Sequence, residues 1–329
     1  MRIRKFTLAS ALCLTTTLAH AAGFRFLTVP AEAGFPQIEA AVWSPCREPV
    51  GEVKLRTMTL PATQNCAISG DKLPLIVISH GYGGSFPGHH DTAEALADNG
   101  FVVVALSHPV DTGGGDMSRA DTLAAFTERP ADIKRVIDYM LDAWPDHAKL
   151  DPGHIGFFGF SRGGYTGLVV AGGNPDLRKM IALCPESSRN PSCAELRKGE
   201  IPPPAFTHDP RVRALVIADP AFGPLFAPGG LKDVKIPIQL WASALSGEDR
   251  TGGEVTLDYV STIMRDLPVK PDYHLVANAG HYAFLPPCTQ ELAQKRPNIC
   301  TDRAGFDRLG FHNAFNAAAL AFFREHLKD

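Results

Sequence analysis

Short apolar runs alternate along this chain with segments whose apolar residues recur at helical spacing. The continuous apolar runs are typical of strands buried on both faces of a parallel sheet. Strands are predicted at residues 38–43, 53–60, 75–78, 101–106, 155–160, 212–218, 236–241 and 273–277, and helices at residues 91–98, 131–144, 162–171 and 313–327. This alternation predicts an α/β fold with a mostly parallel central sheet flanked by helices.

One stretch, residues 172–210, interrupts the alternation. It contains several prolines together with Cys184 and Cys193. Residues 177–183 have the composition of a short strand, but counting them would give one strand more than the fold considered below has. Long connections of this kind are commonly functional lids or disordered loops, and the prolines and cysteines favour order. We therefore expect a lid-like insertion here.

The first 21 residues have the features of a signal peptide. Three basic residues lie within the first five positions, an uncharged apolar stretch follows at 6–18, and Ala19-His20-Ala21 supplies the small-x-small pattern. The apolar stretch is too short to span a bilayer as a helix. We expect cleavage after Ala21, one α/β domain over residues 22–329, and a mature protein that is periplasmic or secreted.

Composition narrows the class of protein and of partner. Hydrophobic residues make up 45% of the chain, which is typical of a globular protein rather than a disordered one. The formal net charge is -3, and beyond the first residues no Lys/Arg-rich block occurs, which argues against a nucleic-acid partner. Nothing in the sequence fixes the oligomeric state.

The cysteines outside the signal peptide are even in number, which in an oxidising compartment predicts disulfides. They fall into three local pairs along the chain. Nearest-neighbour pairing would join Cys46 to Cys66, Cys184 to Cys193, and Cys288 to Cys300. Each bond would staple a loop rather than create the core.

A G-x-S-x-G motif, Gly159-Phe160-Ser161-Arg162-Gly163, lies between a predicted strand and a predicted helix. The motif is weak in isolation, but this position is the sharp turn on which α/β enzymes present a nucleophilic serine. The glycines leave room for a strained backbone, and the helix N-terminus favours developing negative charge. The pattern predicts Ser161 as a nucleophile.

A serine hydroxyl needs a base, and the base needs an acid to orient it. His281 follows the last predicted strand, which is where this motif order places the histidine. For the acid, Asp219 directly follows a strand and is favoured. Glu248 and Asp249 stay open as alternatives, since they follow the next strand but lie about six or seven residues beyond its end.

A glycine-rich turn, His80-Gly81-Tyr82-Gly83-Gly84, follows the strand at 75–78. This is where the fold supplies one oxyanion donor, so we predict the N–H groups of Tyr82 and Arg162 as the oxyanion hole and His80 as a support of the turn. The sequence has no Walker lysine and no G-x-G-x-x-G motif. His89-His90-Asp91 is interpreted as a helix start capped by Asp91, so no metal and no cofactor are expected.

Together these motifs resemble the α/β-hydrolase superfamily, and more narrowly its secreted bacterial dienelactone-hydrolase-like and platelet-activating-factor-acetylhydrolase-like members. The matching segments are residues 74–81, 159–164, 209–220, 279–281 and 284–285. In the acetylhydrolase-like branch the acid follows the strand before the usual one, which favours Asp219. Dienelactone hydrolases use cysteine where this chain has Ser161. Arg162 stands where a small or aromatic residue is commoner, so the acyl-side pocket is expected to differ.

The resemblance implies hydrolysis of carboxylic esters, with short acyl chains favoured, through an acyl-enzyme intermediate. The partner would be a small-molecule ester or a lipid. Two alternatives stay open. One is a serine peptidase or amidase, and the other is a binding protein on an inactive hydrolase scaffold.

Overall fold

The computed structural model describes residues 22–32, 34–55, 58–202, 206–226, 228–245 and 257–327. The predicted signal peptide and the alternative acids Glu248 and Asp249 lie outside these residues. Over the described part of the chain, no helix combines the length and the apolar character needed to cross a bilayer.

The described strands form a nine-stranded sheet and a separate two-stranded hairpin. They are β1 (Gly23–Val29), β2 (Ile38–Ser44), β3 (Val53–Lys54), β4 (Thr59–Leu60), β5 (Thr63–Gln64), β6 (Leu73–Ser79), β7 (Val102–Ser107), β8 (Leu150–Phe160), β9 (Val212–Ala218), β10 (Ile238–Ser243) and β11 (Asp272–Val276). The sheet order is β11-β10-β9-β8-β6-β7-β2-β1-β5. Strands β6 to β11 run parallel, whereas β2 is antiparallel to both of its neighbours.

Helices cover both faces of this sheet. They are α1 (His90–Ala97), α2 (Ala124–Asp142), α3 (Arg162–Val170), α4 (Pro191–Lys198), α5 (Leu257–Asp266), α6 (Gln290–Lys295), α7 (Pro297–Cys300) and α8 (Arg308–His326). Alternate residues of β6 face opposite layers: Leu75 and Val77 pack with α2, α3 and α5, while Ile76 and Ile78 pack with α1 and α8. The predicted α/β fold is therefore confirmed.

Several elements differ from the sequence prediction. The strand expected at 53–60 is the β3–β4 hairpin, and the short strand β5, strand β1 and helices α5, α6 and α7 were not predicted. Helix α2 begins seven residues earlier than expected and runs through Pro130, which lacks the N–H for the carbonyl of Phe126. The hydroxyl of Tyr165 takes that carbonyl instead, at 3.4 Å.

The stretch at 172–210 contains a 3₁₀ turn, Leu177–Leu183, where a short strand was considered, and the unpredicted helix α4. Asn190 caps α4 by accepting from the Ser192 N–H at 3.0 Å. The three nearest-neighbour disulfides are present, with Cα–Cα distances of 6.0 Å for Cys46–Cys66, 5.5 Å for Cys184–Cys193 and 5.7 Å for Cys288–Cys300. The role of this stretch as a lid stays a prediction.

Candidate active site

Ser161 occupies a strained turn between β8 and α3. Its φ of 56° and ψ of -116° place a non-glycine residue in a sparsely populated backbone region. The flanking glycines allow the turn, since a Cβ at Gly159 would collide with the Gly163 carbonyl and one at Gly163 with the Ser79 carbonyl. Backbone hydrogen bonds fasten the turn to the end of β9: the Ser161 N–H donates to Ala218 O at 2.9 Å.

Asp219 follows β9 directly and is fully buried. Its Oδ2 lies 3.0 Å from Nδ1 of His281 and also accepts the hydroxyl of Ser243. Its Oδ1 accepts the Ser243 N–H at 2.8 Å, and its own N–H donates to Trp241 O at 2.9 Å. Backbone and side-chain bonds from β10 therefore fix the carboxylate against the histidine ring.

His281 begins a 3₁₀ turn after β11, and 4% of the residue is exposed. Its ring stacks on Phe160, with a centroid distance of 4.6 Å and an interplanar angle of 30°. Phe160 immediately precedes Ser161, so the ring that contacts Asp219 lies beside the strained turn. The structure thus brings together Ser161, His281 and Asp219, which we call the elbow triad.

The glycine-rich turn lies next to Ser161. A Cβ built on Gly81 would be 3.1 Å from the Cβ of Ser161. The turn is held by backbone bonds to the loop after β7, with the Gly83 N–H donating to Asp111 O at 3.1 Å. The other predicted donor, the N–H of Arg162, belongs to the first turn of α3, whose N–H groups have no acceptor within their own helix. Both predicted oxyanion donors therefore lie next to the turn that carries Ser161.

A buried guanidinium supports the glycine-rich turn from below. Arg129 of α2 is 1% exposed and donates to the carbonyl of His80 and, at 3.1 Å, to Oγ of Ser79. It pairs with Asp111 at 2.5 Å. No local pattern in the sequence marked Arg129, since it lies in a helix more than 30 residues before the nucleophile motif.

His80 has the structural place that was predicted for it. Its Nδ1 bonds the Gly81 carbonyl at 2.6 Å, and its Nε2 accepts the His108 N–H at 3.1 Å. Burial, reinforced by the charge of Arg129, lowers the pKa of His80 to about 4. The ring is therefore neutral near pH 7, which matches one donor and one acceptor nitrogen.

A second serine, histidine and aspartate set lies beneath the same turn. Nε2 of His108 lies 2.9 Å from Oγ of Ser79, and its Nδ1 lies 3.0 Å from Oδ2 of Asp132. Burial raises the pKa of Asp132 to about 7, and burial together with Arg129 holds the pKa of His108 well below its usual value. We call Ser79, His108 and Asp132 the strand triad, because its serine ends β6.

Two cavities border the site. A cleft of about 1010 Å³ opens beside the glycine-rich turn, between Ser85 and Thr112 on one side and the β3–β4 hairpin on the other. A smaller cavity of about 160 Å³ lies next to His281 and is lined in part by Gly280, Tyr282 and Thr301. The smaller cavity is lined by the two neighbours of His281 in the chain, whereas no residue of the elbow triad lines the larger cleft.

Asp91 does not cap α1 as expected. Residue 89 precedes the helix, and Oδ2 of Asp91 bonds Nδ1 of His312 at 2.6 Å and Nδ2 of Asn316 at 2.9 Å. These bonds join α1 to α8, so the carboxylate is used for packing between helices. Within the described ranges, no cluster of three or more His, Cys, Asp or Glu side chains is arranged to hold a metal.

Comparison with known proteins agrees with this geometry. A family model described as the alpha/beta hydrolase fold matches residues 74–227. NocK of Nocardia uniformis subsp. tsuyamanensis, named as a candidate esterase, is 27% identical over 158 residues, which is 47% of this chain. The match covers 45% of NocK, so this chain aligns with about half the length of that relative.

Two solved structures share the fold over most of their length. Ferulic acid esterase from Streptomyces cinnamoneus superposes with a TM-score of 0.61 at 19% identity, covering 95% of this chain and 91% of that one. Dienelactone hydrolase from Anabaena variabilis ATCC 29413 superposes with a TM-score of 0.52 at 15% identity, covering 93% and 99%. At these identities the likeness establishes the fold.

Proposed function

This chain has the α/β-hydrolase fold, similar to that of dienelactone hydrolase, and on that premise we propose that it is a serine esterase that cleaves short-chain carboxylic esters. The observation that carries the proposal is the elbow triad. Ser161 lies in a strained turn, and the ring of His281 stacks on the preceding residue, Phe160. A buried carboxylate lies 3.0 Å from that histidine, and this arrangement fits the geometry of acyl transfer.

The proposed reaction has two steps. Oγ of Ser161 attacks the ester carbonyl while Nε2 of His281 takes the hydroxyl proton, and the N–H groups of Tyr82 and Arg162 bind the resulting oxyanion. Collapse breaks the ester C–O bond, and His281 gives its proton to the leaving alcohol. His281 then removes a proton from water, which attacks the acyl-enzyme and frees the acid and Ser161.

Asp219 acts on the histidine rather than on the substrate. Its bond to Nδ1 holds the ring in the tautomer whose Nε2 can accept a proton, and its charge stabilises the imidazolium formed in each step. The two bonds from Ser243 hold the carboxylate at this angle. Asp219 is therefore proposed as the acid in preference to Glu248 and Asp249.

Relatives support the choice of substrate class. NocK and the Streptomyces protein are both named as esterases, the first as a candidate, which favours esters over amides. The cavity of about 160 Å³ lies beside His281, the proposed proton donor to the leaving alcohol, and its small volume favours a compact alcohol group. The three disulfides support export to an oxidising compartment.

The proposal is tested with p-nitrophenyl esters from acetate to palmitate and with the matching p-nitroanilides. We expect the highest kcat/KM on short acyl chains, much slower amide cleavage, and loss of ester turnover in Ser161→Ala with unchanged thermal unfolding. Absence of ester turnover, or turnover that survives in Ser161→Ala, would contradict the proposal. Efficient cleavage of the anilides would instead establish the amidase alternative.

A further inference from the structure

The Arg162 side chain is buried at the site instead of extending to solvent. Its side chain is only 6% exposed, although Arg162 directly follows the proposed nucleophile. The guanidinium carbon lies 4.3 Å from the ring centroid of Tyr82 and 5.6 Å from that of Phe222. A cation thus stands between two aromatic rings at the edge of the proposed oxyanion hole.

Acidic and carbonyl groups fix this cation in place. Nη1 donates to Ala120 O at 2.6 Å and lies 3.8 Å from Oδ2 of Asp111, and Nη2 lies 3.4 Å from Oδ1 of Asp121. The other oxygen of Asp121 accepts the hydroxyl of Tyr82 at 3.2 Å. One carboxylate therefore links the side chains of both residues that supply oxyanion donors.

The stretch at 172–210 braces this arrangement from behind. The Ser192 N–H of α4 donates to Asp121 O at 2.8 Å, and Oε2 of Glu195 accepts the Leu123 N–H at 2.6 Å. The disulfide Cys184–Cys193 ties α4 to the preceding 3₁₀ turn. The segment carrying Asp121 is thus held between the site and a stapled helix, and it has little freedom to move outward.

We infer that Arg162, Tyr82 and Asp121 form a wall that limits the length of the acyl chain. The inference rests on the proposed esterase function. His281 stacks on Phe160, the residue before Ser161, whereas Arg162 is the residue after it. Because His281 protonates the leaving alcohol in the proposed reaction, the inference places the acyl chain on the Arg162 side of the carbonyl. There it meets a guanidinium and a carboxylate that are bonded to each other, and not an apolar tunnel.

The wall also determines which acyl group is favoured. Two carboxylates lie around the guanidinium, so it is committed to the protein and does not recruit an anionic substrate. Each acyl methylene that an apolar pocket would bury is worth about fourfold in kcat/KM, from roughly 0.8 kcal/mol per methylene. Acyl chains too long to fit in front of the wall would not bury their additional methylenes, so their kcat/KM would not rise with length.

The test compares acyl-length preference in wild type, Arg162→Ala, Arg162→Met, Tyr82→Phe and Arg119→Ala. Arg119 is an exposed arginine of the same loop, so its removal makes the same charge change without touching the wall. The readout is the ratio of kcat/KM for p-nitrophenyl octanoate to that for the butyrate. The rates at which p-nitrophenyl alkylphosphonates with eight-carbon and one-carbon chains label Ser161 give a second chain-length ratio, without turnover.

We expect Arg162→Ala to raise both ratios about tenfold or more, equivalent to two or more newly buried methylenes. Arg162→Met removes the guanidinium contact with Asp121, and Tyr82→Phe removes the hydroxyl contact with it, while both keep most of the bulk of the wall. Each should raise the ratios by about twofold to fourfold. Arg119→Ala should leave them unchanged. Ratios that stay at the wild-type value in Arg162→Ala, while Ser161 still reacts, would overturn the wall and leave the esterase proposal standing.

If Arg162→Ala fails to fold, unchanged ratios in both Arg162→Met and Tyr82→Phe overturn the inference. If no phosphonate labels Ser161 in the wild type, the esterase proposal is wrong, and the inference about acyl length, which rests on that proposal, is wrong as well. A shift in the phosphonate ratio without any ester turnover would support the wall and contradict the choice of substrate.

Discussion

The elbow triad and the strand triad contain the same three residue types with the same histidine–aspartate distance, but their serines lie in different backbone environments. The Nδ1–Oδ2 distance is 3.0 Å in both. Ser161 sits at positive φ in a turn cleared by glycines, whereas Ser79 ends the regular strand β6. A nucleophile must be approachable by substrate; Ser79 is 0% exposed, whereas 5% of Ser161 is exposed.

The electrostatics of the two triads differ as well. Asp219 accepts two bonds from Ser243 in addition to the histidine, so its oxygens are satisfied as a carboxylate. Burial raises the pKa of Asp132 to about 7, and Arg129 donates to the serine oxygen of the strand triad. The comparison teaches that the same residue types can form either a candidate catalytic site or a structural cluster. The difference lies in the backbone strain at the serine, in the access of substrate and in the hydrogen-bond partners of the aspartate.

The largest expected difference comes from removing the charge of each acid in turn. Asp219→Asn should lower kcat on p-nitrophenyl butyrate by about 10⁴-fold, because the histidine loses its tautomer and its counter-charge. Asp132→Asn, the matched change in the strand triad, should lower kcat by less than about tenfold. Equal losses in the two variants, with both proteins folded, would remove the distinction between the triads.

Loss of the guanidinium beneath the strand triad should mainly affect stability. Arg129→Met leaves Asp111 buried with only the longer contact of 3.8 Å to Arg162, so we expect the free energy of unfolding to fall by about 3–5 kcal/mol. The activity should also fall, because the carbonyl of His80 loses its donor and the glycine-rich turn loosens.

The matched control for Arg129 is Lys134→Met on the same helix. Lys134 makes an exposed pair with Asp138, so its loss should cost about 0–1 kcal/mol. Urea unfolding of both variants measures the difference. An Arg129→Met protein as stable as Lys134→Met would show that the buried ion pair does not support this side of the site.

The smallest expected effect is a pH dependence that belongs to the strand triad alone. The folded pKa of Asp132, about 7, lies above its unfolded value of 3.8, so the native state holds the extra proton between these values. Its contribution to stability is present at low pH and is lost as the pH rises from about 4 to about 7. Asp132→Asn should therefore gain stability relative to wild type by roughly 1–4 kcal/mol between about pH 5 and about pH 8.

Urea midpoints of wild type and Asp132→Asn at the two pH values measure this change. Comparing the variants at each pH cancels the titration of every other group. A difference between the two proteins that stays constant with pH, or that shrinks as the pH rises, would contradict the raised pKa and the assignment of the strand triad as a neutral, structural set.

Sequence patterns predicted the parts of the fold and site that have local signals. Continuous apolar runs predicted β6 to β10, and the glycines around Ser161 predicted the strained turn. Both signals are local, because burial of a strand and the geometry of a tight turn each depend on a few consecutive residues. Helices α4 to α7 and strand β1 were missed. Helix α4 lies among prolines, and Arg25 and Thr28 interrupt the apolar residues of β1, so it has no continuous apolar run. Their apolar faces are defined only by what packs against them.

The side chains that tune the site carry no local signal. Arg129 and Asp111 meet beneath the turn, and Asp121 reaches both Tyr82 and Arg162, only after two loops and two helices have packed together. An arginine within a helix is ordinarily exposed, so its burial depends on distant acids that the sequence does not pair with it. Long-range polar contacts of this kind are visible in three dimensions alone.

The most direct test of the account is intact-mass and peptide mapping of the purified protein after brief reaction with p-nitrophenyl acetate, quenched in acid. We predict a single acetyl group on the peptide that contains Ser161, absent in Ser161→Ala and present in Ser79→Ala if that variant folds. An acetyl group on Ser79, or rapid ester turnover by a folded protein that never carries acetyl on Ser161, would contradict the central claim that the elbow serine is the nucleophile.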